Sequence, residues 1–323
     1  MKKAFISIFM GIGVLSVIFL NNSCTKPAEQ KSFTVGILNP NPGTGDICRG
    51  FIEGLKKSSK AKGYRINFIE SKCKSPRDID TALKSLLEKN LDMLFTVTTP
   101  ATKKAKKITT DKNIPIIFAM YDPVGSGVIK NLFRPGGNYT GIQLRGSAPK
   151  GLEWLLTLAP ETKNIYVPIK FDTKAAKQSL VDLRDTAESM GIKLTITELS
   201  TLEELDKSLA VIPEDVDAIF LLHSILTSTN AKMIADVAIK RKLPSAASTN
   251  ISSKGVLISF GIDRYRIGKQ AAHLAHMVLE GESAGDISTE IADFSLVLNL
   301  KTATKIGITI PDDILVQADN VIC

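Results

Sequence analysis

The residues with most chemistry to offer stand at the ends of apolar runs. Residues 91–105 read LDMLFTVTTPATKKA, an apolar run of strand length, then Thr98, Thr99, Pro100 and Ala101, then an Ala/Lys-rich helical pattern. Thr99 is expected to cap that helix and Pro100 to take its first position. A strand feeding a helix N-terminus gathers free N–H groups, the positive end of the dipole and two hydroxyls. That is a seat for a carboxylate or similar anion; the alternative is an ordinary capped turn. Asp122 and Asp263 also follow apolar runs, at 114–119 and 255–260. Each is either a turn former or cap, or a partner for a ligand ammonium. The anion seat and a carboxylate together suit a zwitterion such as an amino acid. Tyr121, Phe171 and Tyr265 lie near the same ends and offer faces to an apolar or aromatic side chain, or serve ordinary packing.

Enzymatic chemistry finds no support. The loop after the first apolar run is Asn39-Pro40-Asn41-Pro42-Gly43-Thr44-Gly45, not GxGxxG, and neither a GxxxxGK[ST] loop nor a GxSxG elbow occurs. His223 and Ser224 are adjacent on a strand and point oppositely, so they do not form a nucleophile–base pair. Three histidines and four cysteines lack metal-ligand spacing, so no metal and no cofactor are expected. Cys48 and Cys73 follow the first two expected strands and are either free thiols or a disulfide. The net charge of +8 is spread along the chain. Its densest run, Lys103, Lys104, Lys106 and Lys107, has no interleaved aromatics and reads as a solvated helix face, not a nucleic-acid patch.

These groups need elements to position them, and the pattern supplies an alternation. Strands are expected at 33–38, 65–70, 91–97, 114–119, 164–169, 193–199, 218–222, 244–247, 255–260 and 294–299, with amphipathic helices between most of them. Repeated βα units imply α/β architecture, with parallel sheets covered by helices, and 323 residues suffice for two lobes. In open parallel sheets ligands bind at the strands' carboxyl ends. That rule selects Asn39 through Asp46, Ser71 to Cys73, Thr98 to Ala101, Tyr121-Asp122, Lys170 with Phe171, Asp172 and Thr173, His223-Ser224, and Asp263. A cleft between facing lobes is the expected site.

The N-terminus is distinct. Lys2 and Lys3 precede an apolar run to Leu20, and Leu20-Asn21-Asn22-Ser23-Cys24 resembles a bacterial lipobox, with the apolar residue one place further from the cysteine than usual. Export, lipidation at Cys24 and a polar tether over 25–32 are expected.

Landmarks run in order through the mature chain: VGIL at 35–38, RGFIEGLK at 49–56, TTPA at 98–101, IPIIFAMYDPVGSGVI at 114–129, RPGGNYTGI at 134–142, GIDRYRIGKQAA at 261–272 and GITIPDDILVQADNVI at 307–322. On these the chain resembles the ABC-transporter solute-binding lipoproteins that include tryptophan- and tyrosine-type uptake proteins. The resemblance implies a type I periplasmic-binding-protein-like fold, no enzymatic activity, a small solute held between the lobes, and delivery to ABC permease subunits in the membrane. It matches Thr99, Pro100 and Ala101 to the family's TPA turn at the ligand, Asp122 to its DP turn and Asp263 to its G-x-D-Y turn. Here Arg264 stands where that tyrosine is common, and Asn39-Pro40 and Asp46 stand where a His-Pro and a downstream Asp are frequent. Lys170-Phe171-Asp172-Thr173 replaces a more Asn/Ser-rich loop. The implied lobes are 33–143 with 262–286, and 144–261 with 287–323, joined by crossovers near 143–146, 261–263 and 285–288. A sensory receptor that binds solute without transport is the alternative function. A DNA-binding regulator of similar lobes is disfavoured, because an export signal occupies the place of its DNA-binding segment.

Overall fold

The computed structural model describes residues 30–323 apart from Lys74, Thr110, Asp172 and Thr173; the expected signal segment, Cys24 and most of the expected tether lie outside the described residues. The chain runs β1 (Ser32–Leu38), α1 (Gly45–Ala61), β2 (Arg65–Glu70), α2 (Ile79–Leu87), β3 (Met93–Val97), α3 (Thr99–Thr109), β4 (Ile116–Tyr121), β5 (Tyr139–Leu144) and α4 (Ala148–Leu158). It continues through β6 (Asn164–Ile169), α5 (Lys174–Ser189), β7 (Lys193–Glu198), α6 (Leu202–Ala210), β8 (Ala218–Leu221), α7 (Ile225–Thr229), α8 (Ala231–Lys240), β9 (Ser245–Ala247) and β10 (Ile258–Ile262). Last come α9 (Arg264–Leu279), β11 (Glu290–Ile291), β12 (Phe294–Asn299), α10 (Leu300–Ile306), α11 (Asp312–Leu315) and β13 (Asn320–Ile322).

Two sheets result. The first has the order β11-β5-β4-β3-β1-β2 and is parallel throughout; the second has the order β13-β12-β10-β9-β8-β6-β7, with only β10 and β12 antiparallel. The α/β, two-lobed expectation holds. Central strands read as unbroken apolar runs because helices cover both faces: every residue of β3, MLFTV, is buried. At the edge, β2 alternates exposed and half-buried positions. Parallel register sets the ends of β1, β3 and β4 side by side, with Leu38 opposite Thr96 and Val97 opposite Ala119.

The first lobe borrows α9 from far along the chain. α1 buries Ile47, Cys48, Phe51 and Leu55, and Phe51 stacks on Phe95 of β3 with centroids 4.0 Å apart. Its other buried face meets α9 at glycines. A Cβ on Gly268 would clash with Ile47 O and lie 2.6 Å from Phe51 N, and one on Gly50 would clash with Tyr265 O. The helices therefore touch backbone to backbone, which larger residues at these positions would prevent.

Three segments cross between the sheets: after β5, between β10 and α9, and between β11 and β12. They are tied together, with Ala292 N donating to Gln143 O at 2.9 Å and Asp263 N to Asp293 O at 3.4 Å. The third crossing thus lies at 292–293 rather than near 285–288. The reason is β11, which pairs with β5 in the first sheet and, at two residues, is too short to show a period. Two further elements differ from the sequence reading. The helix expected over 228–241 is split at Asn230 into α7 and α8, and the segment 311–321 holds both α11 and the start of β13.

Candidate functional site

Thr98 turns the chain from β3 into α3. Its φ is +87°, in a region that β-branched residues avoid. Its N–H donates to Ala119 O at 3.0 Å, and its carbonyl accepts from Thr102 N at 3.1 Å and Thr102 Oγ1 at 3.0 Å. Thr98 is therefore the capping position, Thr99 the first helical residue and Pro100 the second, one place earlier than expected. The left-handed turn at Thr98 lets its carbonyl accept the first helical bond. The Thr99 hydroxyl instead donates to Tyr121 O at 3.0 Å, fastening this turn to the end of β4. Pro100 has no N–H, so the free donors of the first turn are Thr99 and the buried Ala101. The Thr98 hydroxyl is buried and makes no hydrogen bond within the protein.

At the end of β4, Tyr121 is 37% exposed; desolvation by the surrounding wall raises its phenol pKa, and the nearby Arg264 opposes that rise. Asp122 is exposed with φ +44°, and its Oδ1 accepts from Gly125 N at 2.9 Å. Of its two sequence readings, the structure displays the turn former.

Asn39 follows β1 and is half-buried. Its Oδ1 accepts from Asn41 N at 3.1 Å and Thr44 Oγ1 at 2.9 Å, so it shapes the loop before α1. Asp46 sits on the exposed first turn of α1, paired with Arg49 at 3.1 Å. A cavity of about 780 Å³ opens here, lined by Asn39, Arg49, Glu70, Ser71, Cys48 and Cys73 among others. Both cysteines are free thiols, and burial pushes Cys48 up to about 12, against a weaker downward pull from Asn39.

On the second sheet, Phe171 follows β6 and packs on the lobe's core, while Asp172 and Thr173 lie outside the described residues. His223 is half-buried beyond β8, beside Ser224, which is 1% exposed and whose hydroxyl has no partner. Ser248 and Thr249 follow β9 and carry hydroxyls that likewise make no hydrogen bond; Ser147 Oγ donates to Ser248 O at 2.9 Å, drawing the start of α4 against this end. Asp263 caps α9, with Oδ1 accepting from Tyr265 N and Arg266 N, each at 3.0 Å. It lines a second cavity of about 480 Å³ with Asn250, Ser252, Arg266 and Asp319. There Arg266 pairs with Asp319 at 2.6 Å and faces Asp293 at 3.8 Å, joining α9 to the segment before β13.

The structure thus brings Thr98 to Ala101, Tyr121 and Asp122 together, with Asn39 one strand away. Asp263 and Asn39 line different cavities, and Asp46 is engaged by Arg49. Sequence reasoning passed over Gln143, Ser248 and Thr249. The strand-end rule applied to β9 as to its neighbours would have found the last two. A pattern joins them to the rest. Of the buried side-chain polar atoms without a partner among the described residues, those of Ser71, Thr98, Gln143, Ser224, Ser248 and Thr249 all lie at carboxyl ends of strands. Native interiors leave few such groups unbonded, and here they cluster where parallel sheets take ligands. No group of His, Cys, Asp and Glu among the described residues could hold a metal ion.

Comparison with known proteins bears on the family and the fold. The sequence profile described as "ABC transporter substrate binding protein" matches residues 35–322. A curated "Tyrosine-binding protein" of Clostridioides difficile (strain R20291) is 30% identical over 286 residues, spanning 87% of this chain and 82% of that one. Among solved structures, an ABC domain of Streptococcus pneumoniae in complex with L-Trp is 25% identical, with a TM-score of 0.69 over 91% of this chain and 100% of that one. A ligand-free, open substrate-binding protein with adhesive properties from Clostridium difficile shares the fold, with a TM-score of 0.76, 24% identity, and coverage of 90% of this chain and 99% of that one.

Proposed function

We propose that this chain, which belongs to the family of ABC transporter substrate-binding proteins, captures an amino acid between its lobes and delivers it to a membrane permease. The observation that carries the reading is the set of unbonded hydroxyl and amide oxygens at strand ends of both sheets. The tyrosine and tryptophan relatives support the ligand class. In the proposed pose the α-carboxylate sits at the start of α3, on the Thr99 and Ala101 amides and the Thr98 hydroxyl, where dipole and donors favour an anion. The ammonium meets Asp263 through Oδ2, since Oδ1 is occupied by the cap. Tyr121 and Phe171 flank the side chain. Ser224, Ser248 and Thr249 approach from the second lobe as the crossings at 143–148, 262–264 and 292–293 flex. Ligand bonded to both lobes favours the closed arrangement by its differential affinity for it.

Export and lipidation at Cys24 complete the proposal, because a tethered binder suits delivery to a fixed permease. Among the described residues no helix is long and apolar enough to cross a membrane. Transport is preferred to a sensory role on the strength of the family match. A thermal-shift screen over amino acids, nucleosides and sugars tests the ligand class, since a bound ligand raises Tm by mass action. An upward shift with amino acids is expected; a shift with sugars and none with amino acids refutes the zwitterion site. Failure of Cys24 to incorporate radiolabelled palmitate in cells refutes lipidation.

A further inference from the structure

One ion pair, taken with the lobe closure proposed above, bears on how the two lobes move. Arg266 stands on α9, which enters the first lobe's core through Ile267, Ala271 and Leu274 and meets α1 backbone to backbone. Its guanidinium reaches past the third crossing, 3.8 Å from Asp293, to Asp319 at 2.6 Å. Asp319 belongs to the second lobe and is fixed there twice. Its N–H donates to Leu296 O at 2.9 Å, and its Oδ2 accepts from Leu296 N at 3.0 Å, which leaves Oδ1 for the arginine. Gln270, one turn further along α9, stops at the crossing itself, bonding Ile291 O at 3.1 Å and Asp293 N at 3.0 Å. The Arg266–Asp319 pair is therefore mounted on rigid elements of different lobes, and the cavity of about 480 Å³ lined by Asp263, Arg266, Ser295 and Asp319 lies at this joint.

The crossings are hydrogen-bonded to one another, and on the closure reading they absorb the change in φ and ψ. Left to themselves they permit twisting and splaying as well as closing. β13 lies beyond β12 in the second sheet, so the pair stands about one strand spacing, roughly 4.8 Å, to the side of β12 and resists motions that part α9 from β13. We propose that Arg266 and Asp319 are positioning residues for ligand capture: their ion pair is a fourth tie between the lobes, and it restricts their motion to closing. Fewer relative orientations are then given up when an amino acid bridges the lobes, so binding costs less ordering. The pair adds little to global stability, because its side chains are 43% and 37% exposed.

The test reads the distribution of distances between spin labels at Lys57→Cys on α1 and Asp206→Cys on α6, both exposed, in the chain expressed from Thr25 with Cys323→Ser; Cys48 and Cys73 are buried. Arg266→Gln is expected to broaden the distribution, and Arg266→Lys, which keeps the charge, to return it towards the parent. In calorimetric titration with L-tyrosine and L-tryptophan, Arg266→Gln should bind both more weakly by about the same factor, roughly 2- to 10-fold, with Tm little changed. Removing a cation beside Asp263 would by charge alone favour a ligand ammonium, so the loss of affinity reads the tie. A distribution in Arg266→Gln that superimposes on the parent's, or affinity equal to or above the parent's, overturns the proposal and leaves the amino-acid function standing. Absence of binding of all common amino acids by the parent overturns that function, and the label distances then decide the tie by themselves.

Discussion

Asp263 holds two roles in one carboxylate, and two substitutions separate them. Its Oδ1 accepts from Tyr265 N and Arg266 N at 3.0 Å each, a helix cap, while Oδ2 is assigned to the ligand ammonium. Asparagine caps helices about as well as aspartate, so Asp263→Asn keeps the two amide bonds and loses only the charge, costing about 0.3–1 kcal/mol of favourable dipole interaction. Asp263→Ala loses the cap as well, about 0.5–2 kcal/mol in addition. For a chain of this size each 1 kcal/mol lowers Tm by about 2–4 °C or less. The ligand bond is different. A charge-assisted hydrogen bond contributes about 1.5–3 kcal/mol, so both variants should weaken binding by roughly 10- to 150-fold. The assays are urea denaturation for the cap and calorimetry, with the amino acid that gives the largest thermal shift, for the ligand. Asp263→Asn is expected to be near the parent in stability but far from it in affinity. If Asp263→Asn binds like the parent while Asp263→Ala does not, the carboxylate serves the helix alone and the ammonium contact is refuted.

Four further outcomes are expected. Gly268→Ala gains about 1 kcal/mol in helix propensity but drives a methyl into the backbone at Ile47 and Phe51, so a net loss of about 1–3 kcal/mol should appear as a lower urea midpoint; Gly45→Ala, with nothing within 4 Å, is the neutral control. Thr98→Gly relieves about 1–2 kcal/mol of left-handed strain, offset in part by unfolded-chain entropy, so the ligand-free protein should melt at or above the parent while amino-acid binding weakens through loss of the hydroxyl; a rise in affinity would remove Thr98 from the site. Exposed Cys323 should react at once with a thiol reagent at pH 8, and buried Cys48 and Cys73 only on unfolding. Because burial raises Cys48 from 9.0 to about 12, its contribution to stability is complete below pH 9 and is lost as pH climbs from 9 towards 12, which a pH series of urea midpoints will read.

The sheets were legible because buried parallel strands such as MLFTV and IFAMY leave long apolar runs, and helices such as α1 leave a 3.6-residue apolar period. β11 was not, because two residues carry no period, and with it the third crossing was misplaced. Thr98 to Ala101 was legible as a strand–helix junction, but the one-residue shift of the cap was not, since it depends on a left-handed backbone that no threonine advertises. Asp122 and Asp263 were found by type and place, whereas which oxygens their own turns would occupy awaited coordinates. Arg264 was visible only as an unusual residue. That it makes no hydrogen bond or ion pair among the described residues is a three-dimensional fact.

The contact between α1 and α9 sets an order of events during synthesis. Residues 45–61 cannot bury the face around Gly50 until 264–279 exist, and the first sheet gains its last strand only at 290–291. At roughly 5–20 residues per second, the first lobe waits on the order of 10–40 s for its partner helix. Closing so long a loop also slows folding once the chain is whole. A protein whose first lobe is finished by nearly its last tenth stays threadable for most of its translation, and a secretion channel needs a threadable chain.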